Sequence, residues 1–457
     1  LATINTSVPV DFDSNLLIRK EMNKGAVKEL FVELEFRRLA ERWFGKMSTE
    51  TPTSDSSSKV TEIKPTLPGQ FDLFNSGEEN QNSLFESSYK TIESVKTKYH
   101  LVESYEDCLV LAEKLMVLKS FAFDTETTSV NALEAEIVGL SFCFKTREAY
   151  YVPVSSDIEK RDKILSVFKP LFENERIEKV GQNIKYDYHI LANYGIQLKG
   201  SFFDTMLAHY LLEADMRHNM NVLAETYLNY SPLKIESIIG KGKSQLNMRD
   251  LPASKIKDYA CEDADITWQL KNHFSPLLKE EELTPLFEDV EMPLISVLAK
   301  MEREGINLDL DSLKDFSSEL EVSVFKIQSE IHEMAGVSFN IASPKQLGDV
   351  LFKHLKLDAK AKKTKTGQYS TSEEVLSKLK SKHPIIEKIL DFRSLQKLRS
   401  TYVDALPELI NPKTKRIHTT YGQTVAATGR LSSNNPNLQN IPIRTERGRQ
   451  VREAFVP

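Results

Sequence analysis

The sequence predicts an α/β domain over residues 96–280, followed by a mostly helical region over 281–457. Three observations carry that prediction. The runs FAFD (121–124), IVGLSFCF (137–144) and AYYVPV (149–154) are short and apolar, as buried strands are. Longer segments with helical spacing interleave with them, the pattern of an α/β layer structure. Past residue 281 the sequence reads as helix after helix, joined by Lys-rich loops such as KAKKTKTG.

Taken in order, residues 16–44 read as one amphipathic helix, with Leu30, Phe31, Leu34 and Phe36 among its apolar positions. STETPTSDSSS (48–58) has no aliphatic residue, and residues 45–95 read as a linker. EKVGQN (178–183) reads as a short strand feeding the helix IKYDYHILANYG, which stops at Gly195. FDTMLAHYLLEA and KIKDYACEDADITWQLKNHF are further helices. Beyond 281, Leu283, Leu286, Phe287 and Val290 mark one apolar stripe, and Pro293 kinks that helix or breaks its start. The segment 312–335 ends at Gly336. Ser343-Pro344-Lys345-Gln346 reads as a capping box with proline at the first helical position, and Thr371 with Glu374 as a second such start.

Hydrophobic residues make up 40% of the 457 and charged residues 28%, which suits folded domains rather than a disordered chain. No apolar run approaches the roughly 18–20 residues of a membrane helix. The chain opens on Leu1, so it is expected to be a piece of something longer. Cys108, Cys143 and Cys261 are widely spaced with no CxxC pair, which fits small buried residues and argues against structural zinc. A net charge of −6 leaves nucleic-acid binding to a local surface, and one exists: residues 393–457 hold 11 Lys and Arg against 4 Asp and Glu, a local charge of +7. GKGKS (240–244) is not a phosphate-binding P-loop, because Ser237 stands where the first glycine belongs.

The chemistry lies in spaced carboxylates. Asp124 and Glu126 end an apolar strand two residues apart, so both side chains share one face. Asn183 with Asp187, and Tyr259 with Asp263, are each four apart on a predicted helix and share a face there. Singly such spacings are common on solvated surfaces. Their flanks are apolar, however: Asp124 follows FAF, and Asp187 sits among Val180, Ile184, Ile190 and Leu191. Two carboxylates about 6 Å apart repel by roughly 3 kcal/mol at an effective dielectric near 20. Four gathered together need cations, and the motifs contain no Arg and one Lys, Lys185, on another helix face. Carboxylate oxygens without His or Cys favour Mg²⁺ or Mn²⁺ over Zn²⁺. Two such ions suit in-line displacement at phosphorus.

FAFDTET, VGQNIKYD and YACEDAD, in this order, resemble the three motifs of the 3′→5′ proofreading exonuclease of bacterial family A DNA polymerases. The resemblance covers nearly all of the chain. It implies a ribonuclease H-like exonuclease domain over 96–280 and the polymerase thumb and a truncated start of the palm over 281–457, with residues 1–44 similar to the tail of a 5′ nuclease region. By similarity, Asp124 bridges both metal ions, Glu126 and Asp263 complete the first site, Asp187 serves the second through water, Tyr259 positions the nucleophile, and Asn183 supports the site. Val130 and Ile235 stand where relatives often carry larger apolar residues, so the grip on the 3′ end is expected to differ.

TVAATGRLSSNNPNLQNIPIRTERGRQVREAF (424–455) resembles the stretch that precedes the polymerase palm. Arg430, Asn437, Gln439 and Asn440 offer donors to the minor-groove acceptors shared by all base pairs, and Arg399, Arg430 and Arg444 can reach phosphates. The polymerase aspartates are expected beyond residue 457, so neither polymerase nor 5′ nuclease activity is expected of the chain itself. The expected partners are single-stranded DNA 3′ ends and primer-template DNA. The expected state is a cytoplasmic bacterial monomer that meets the nucleoid through DNA. The competing reading is a DNA-binding scaffold with an idle pocket. A third, an RNA-trimming exonuclease, is disfavoured by the polymerase-type stretch.

Overall fold

The computed structural model describes residues 89–456 other than 365 and 444, preceded by 23, 26, 27 and 30. Two compact units divide the chain at Leu84/Phe85. In the first, Ala26, Val27 and Leu30 are helical and Asn23 is not; the remaining residues of the helix expected over 16–44, and the linker over 45–95 up to residue 88, lie outside the described residues.

The second unit opens on a six-stranded sheet ordered β1-β4-β3-β2-β5-β6. Its strands are β1 (Lys98–Leu101), β2 (Ser120–Thr127), β3 (Ile137–Lys145), β4 (Glu148–Pro153), β5 (Glu178–Gly181) and β6 (Phe202–Asp204). β3 runs antiparallel to β2 and β4, while β1–β4, β2–β5 and β5–β6 are parallel. Helices α1 (Tyr105–Met116), α2 (Ile158–Phe172), α3 (Ile184–Asn193), α4 (Thr205–Leu212), α5 (Met220–Leu228), α6 (Ile235–Ile239) and α7 (Ala253–Glu280) surround it.

The alternation along β2 divides the labour of its two faces. Phe121 and Phe123 project to one side, where they meet Phe142 of β3 and Phe168 and Phe172 of α2, with ring centroids 5.0–6.3 Å apart. All five rings are fully buried. Ala122, Asp124 and Glu126 project to the other side, toward α7, which lies across β1–β4. A dry aromatic layer thus fixes the strand from behind and leaves its acidic face toward one long helix.

This first core runs from Val102 to Ile295 and so ends on α8 (Met292–Glu304). The stripe expected over 283–290 does not form. Phe287 is buried, but Leu286 and Val290 are exposed; residues 287–291 widen into a π-helical turn that rotates Val290 off the stripe. Pro293 follows this turn within a helical run unbroken from Thr284 to Glu304, so it does not break the start of the helix; the irregularity sits in the turn immediately before it. A second core, Leu308 to Ala454, gathers around α9 (Leu310–Ala335) and α12 (Ile385–Leu398). α9 ends at Gly336 in the left-handed region, as expected.

Two helix starts differ from expectation. At α10 (Pro344–Asp349), Ser343 accepts from Gln346 N–H, but the Gln346 side chain accepts from the N–H of Asn340 and not of Ser343, because the chain turns back at Asn340. At α11 (Glu373–Ser377) the cap is Ser372, one residue later than Thr371; the Thr371 hydroxyl is instead buried and accepts from Arg393.

The aromatic layer sets the first stability prediction. Phe142→Ala should destabilise the chain by about 3–5 kcal/mol in urea denaturation followed by circular dichroism.

Candidate active site

The site forms where β2, α7 and α3 meet. Asp124 and Glu126 enter from the strand. Asp263 enters from α7, one helical turn beyond Tyr259, whose phenol hydrogen-bonds its carboxylate. The neighbouring acids of α7 face away and anchor the helix. Asp265 accepts from Tyr99 Oη at 2.9 Å and Arg147 N–H at 2.8 Å, and Glu262 accepts from Tyr230 Oη at 2.5 Å and Leu233 N–H at 2.6 Å. A helix pinned on its outer sides presents Tyr259 and Asp263 to β2.

Asp187 arrives by a different route. The pairing of β2 with β5 ends at Ala122 opposite Val180, so the outer edge of β2 is unpaired beyond that point. Asp187 of α3 occupies this edge: its Oδ1 accepts from Thr125 N–H at 3.1 Å and Thr125 Oγ1 at 2.6 Å. A side-chain carboxylate takes the place of the missing strand.

Oxygens of Asp124, Glu126 and Asp263 lie within 4.8 Å of one another. At that spacing each charge pair repels by roughly 3 kcal/mol at an effective dielectric near 20. Burial, and no counter-charge, dominates the titration of all four acids. It pushes Asp124 up to about 7 and raises Glu126, Asp187 and Asp263 well above the usual carboxylate value, with their mutual repulsion adding to the last three. Burial, then the charge of Asp263, also raises the Tyr259 phenol far above its ordinary value. None of the four carboxylates has a Lys, Arg or His ion-pair partner among the described residues. Lys185 turns to Glu302 of α8 instead.

The residues fit a hard divalent cation. The donor set is all carboxylate oxygen, and Glu126 Oε1 is buried with no hydrogen-bond partner. Three acids meet closely enough to hold one cation together, and Asp187 stands beside them with one oxygen committed to Thr125.

The other expected residues fall as follows. Asn183 is not on the α3 face that carries Asp187. The helix starts at Ile184, and Asn183 precedes it in the left-handed region (φ 60°) with its side chain exposed. Asp204 causes this turn by accepting the N–H groups of both Asn183 and Ile184. Arg430, Asn437, Gln439 and Asn440 are exposed. Arg399 is held by Asp404 at 3.1 Å and Glu321 at 3.4 Å, so its guanidinium is already partnered. Arg444 lies outside the described residues. Val130 and Ile235 are exposed.

Sequence spacing gave no hint of Glu302. Its buried carboxylate takes Lys185 Nζ at 2.5 Å, His189 Nε2 at 2.7 Å and Tyr421 N–H at 2.7 Å. Lys185 also donates to the Tyr421 carbonyl. Tyr421 belongs to the hairpin β7 (Thr420–Gly422)–β8 (Ser432–Asn434), whose loop is held again by Tyr210 of α4: Tyr210 Oη donates to Ala426 O at 2.7 Å. One face of α3 therefore carries Asp187 to β2, while Lys185 and His189 tie the helix to α8 and the hairpin. Burial raises the Glu302 carboxyl, but the His189 hydrogen bond and the Lys185 charge outweigh it, and its pKa lies below the ordinary value.

A cluster of buried and half-buried carboxylates beside a phenol, with no nitrogen or sulfur donor, suits a hydrolytic centre that uses hard cations. Comparisons with known proteins agree. Residues 99–279 match the 3′-5′ exonuclease family and residues 310–457 match DNA polymerase family A. The chain is 39% identical to DNA polymerase I of Pseudomonas aeruginosa, 38% to that of Chloroflexus aurantiacus and 34% to that of Bacillus subtilis, in each case over 100% of this chain and 46–48% of the relative. It thus spans about half the length of the curated relatives it matches. Among solved structures, the polymerase domain of Pol1 from M. smegmatis, in complex with DNA primer-template and dNTP, superposes with a TM-score of 0.65 at 30% identity, covering 78% of this chain and 58% of that one. The chain belongs to the family A DNA polymerases, and carries their 3′-5′ exonuclease domain followed by part of the polymerase domain.

Two predictions follow from the electrostatics. A carboxyl whose folded pKa is raised stabilises the fold most below its unfolded value near 4 and loses that contribution as pH rises. With chelator present, Tm should therefore fall between pH 5 and 8, and fall less in Asp124→Asn; Mn²⁺ should raise Tm more at pH 8 than at pH 5. Separately, Glu302→Ala leaves Lys185 buried without its acid and should cost about 3–5 kcal/mol in urea denaturation.

Proposed function

We propose that this chain removes nucleotides one at a time from DNA 3′ ends, in a cation-dependent hydrolysis carried by Asp124, Glu126, Asp187, Tyr259 and Asp263. The observation that supports it most is the meeting of Asp124, Glu126 and Asp263 oxygens within 4.8 Å, with Glu126 Oε1 buried and unpartnered. Asp124, Glu126 and Asp263 would hold one Mg²⁺ or Mn²⁺ ion, and Asp124 with Asp187 a second. Bound there, the pair supplies activation of water and stabilisation of the charge that develops on the phosphoryl and leaving oxygens. Asp263 holds the Tyr259 phenol, which stays protonated at neutral pH and can orient the attacking water. The water oxygen bonds to phosphorus as the P–O3′ bond breaks, releasing a nucleoside 5′-monophosphate and leaving a new 3′ hydroxyl.

The domain plan that suits this reading is a nuclease region over 96–280 and a thumb and palm segment over 281–457, preceded by a 5′ nuclease tail (1–44) and a linker (45–95). Exposed Arg430, Asn437, Gln439 and Asn440 would meet the minor groove of primer-template DNA, and Arg444 a phosphate. The whole protein would pair this trimming with template-directed synthesis, as a monomer at the bacterial nucleoid. No helix among the described residues is long and apolar enough to cross a membrane. An idle DNA-binding scaffold has less support, since all four carboxylates are present, Glu126 and Asp187 buried and Asp124 and Asp263 half-buried.

A 5′-labelled oligonucleotide with Mg²⁺ should give a ladder of shortened products. Asp124→Ala should slow it by roughly 10³-fold or more, since such cation sites contribute several kcal/mol to the transition state. A wild-type chain that gives no ladder at high enzyme concentration would refute the nuclease.

A further inference from the structure

One buried hydroxyl beside the carboxylates has no place in the mechanism above. Tyr151 of β4 is fully buried, and its Oη has no hydrogen-bond partner. Sheet register places it. Tyr151 lies opposite Ser141 of β3, which lies opposite Asp124 of β2; in the next row Gly139 lies opposite Glu126. Partners across a sheet share a face, so Asp124, Glu126 and Tyr151 all project toward α7.

The ring does not stay in its own row. Its Cε2, Oη and Cζ lie 2.3, 2.4 and 2.5 Å from where a Cβ on Gly139 would stand. The phenol therefore fills the space that a side chain at position 139 would occupy, directly beside Glu126. Gly139 has ordinary backbone angles; the glycine is there to admit the ring. The two polar atoms left without a partner on this face, Tyr151 Oη and Glu126 Oε1, thus belong to neighbouring rows. Burial, then the Glu126 charge, raises the Tyr151 phenol above its ordinary value, which keeps the proton on it.

We infer that Tyr151 is a positioning residue for the nuclease: the two orphans are not bonded to each other in this structure, and a turn of the Glu126 carboxylate would bring Oε1 to the Tyr151 hydroxyl as a donor and leave the other oxygen for the cation. Each orphan answers the other, since the phenol has a proton to give and the carboxylate oxygen lacks a donor. A donor behind a ligating carboxylate fixes its rotamer and its choice of oxygen. The inference rests on the nuclease reading, because it assigns Glu126 to a cation.

The test compares the 457-residue chain with Tyr151→Phe and Gly139→Ala. Mn²⁺ binding is followed by isothermal titration calorimetry, oligonucleotide shortening by gel, and folding by circular dichroism. Tyr151→Phe removes one oxygen; it should keep the fold, weaken Mn²⁺ affinity by roughly 10-fold and lower kcat with little change in KM. Gly139→Ala, which displaces the ring, should weaken Mn²⁺ binding likewise. A purely structural phenol predicts unchanged Mn²⁺ affinity in Tyr151→Phe, and that result overturns the assignment. The two readings separate cleanly: a wild type that binds Mn²⁺ yet shortens no DNA counts against the nuclease, whereas equal affinities of wild type and Tyr151→Phe count against Tyr151.

Discussion

The structure turns on like charges held together out of water. Asp124, Glu126, Asp187 and Asp263 are drawn to one place by elements that have other reasons to be there: an aromatic layer behind β2, polar anchors along the outer sides of α7, and a broken strand edge that α3 completes. Each of these contacts works against mutual repulsion and the loss of hydration. A fold that accepts such a penalty without a cation is strained where its function lies. Stability gathered at a distance is spent holding the acids in place.

Much of this was legible in the sequence, for reasons that can be named. The period of two in β2 set Asp124 and Glu126 on one face, and the period of 3.6 in α7 set Tyr259 and Asp263 on another. Local geometry decided those positions. Motif resemblance supplied the meeting of strand and helix, which spacing alone could not. Asp187 was found through its motif, but its grip on Thr125 depends on β5 stopping short, a fact of strand length and pairing. Tyr151 and Glu302 were invisible to spacing: one sits two strands away from Glu126 and depends on a glycine of the strand between them, the other on contacts between residues more than a hundred positions apart.

The misreadings have a shared cause. Helical periodicity was carried across positions where the backbone leaves the regular helix. The π-helical turn at 287–291 displaced Val290 from the expected stripe. The left-handed turn at Asn183 removed it from the face of Asp187. Thr371 and Ser372 could each cap a helix, and burial of the first beside Arg393 settled the choice. Irregular turns are dictated by long-range hydrogen bonds, which a window of sequence does not contain.

The joint at Glu302 bears on how the chain can be divided. The last of the four acids lies on α7, and a dissection after that helix would retain all four. It would also discard the anion that Lys185 and His189 share, along with the end of the first core on α8. The helix presenting Asp187 would then carry two stranded basic side chains on its inner flank. An excised exonuclease-family domain that is to stand alone needs α8 with it, and a neutral or re-paired replacement for the hairpin backbone that Tyr421 now provides.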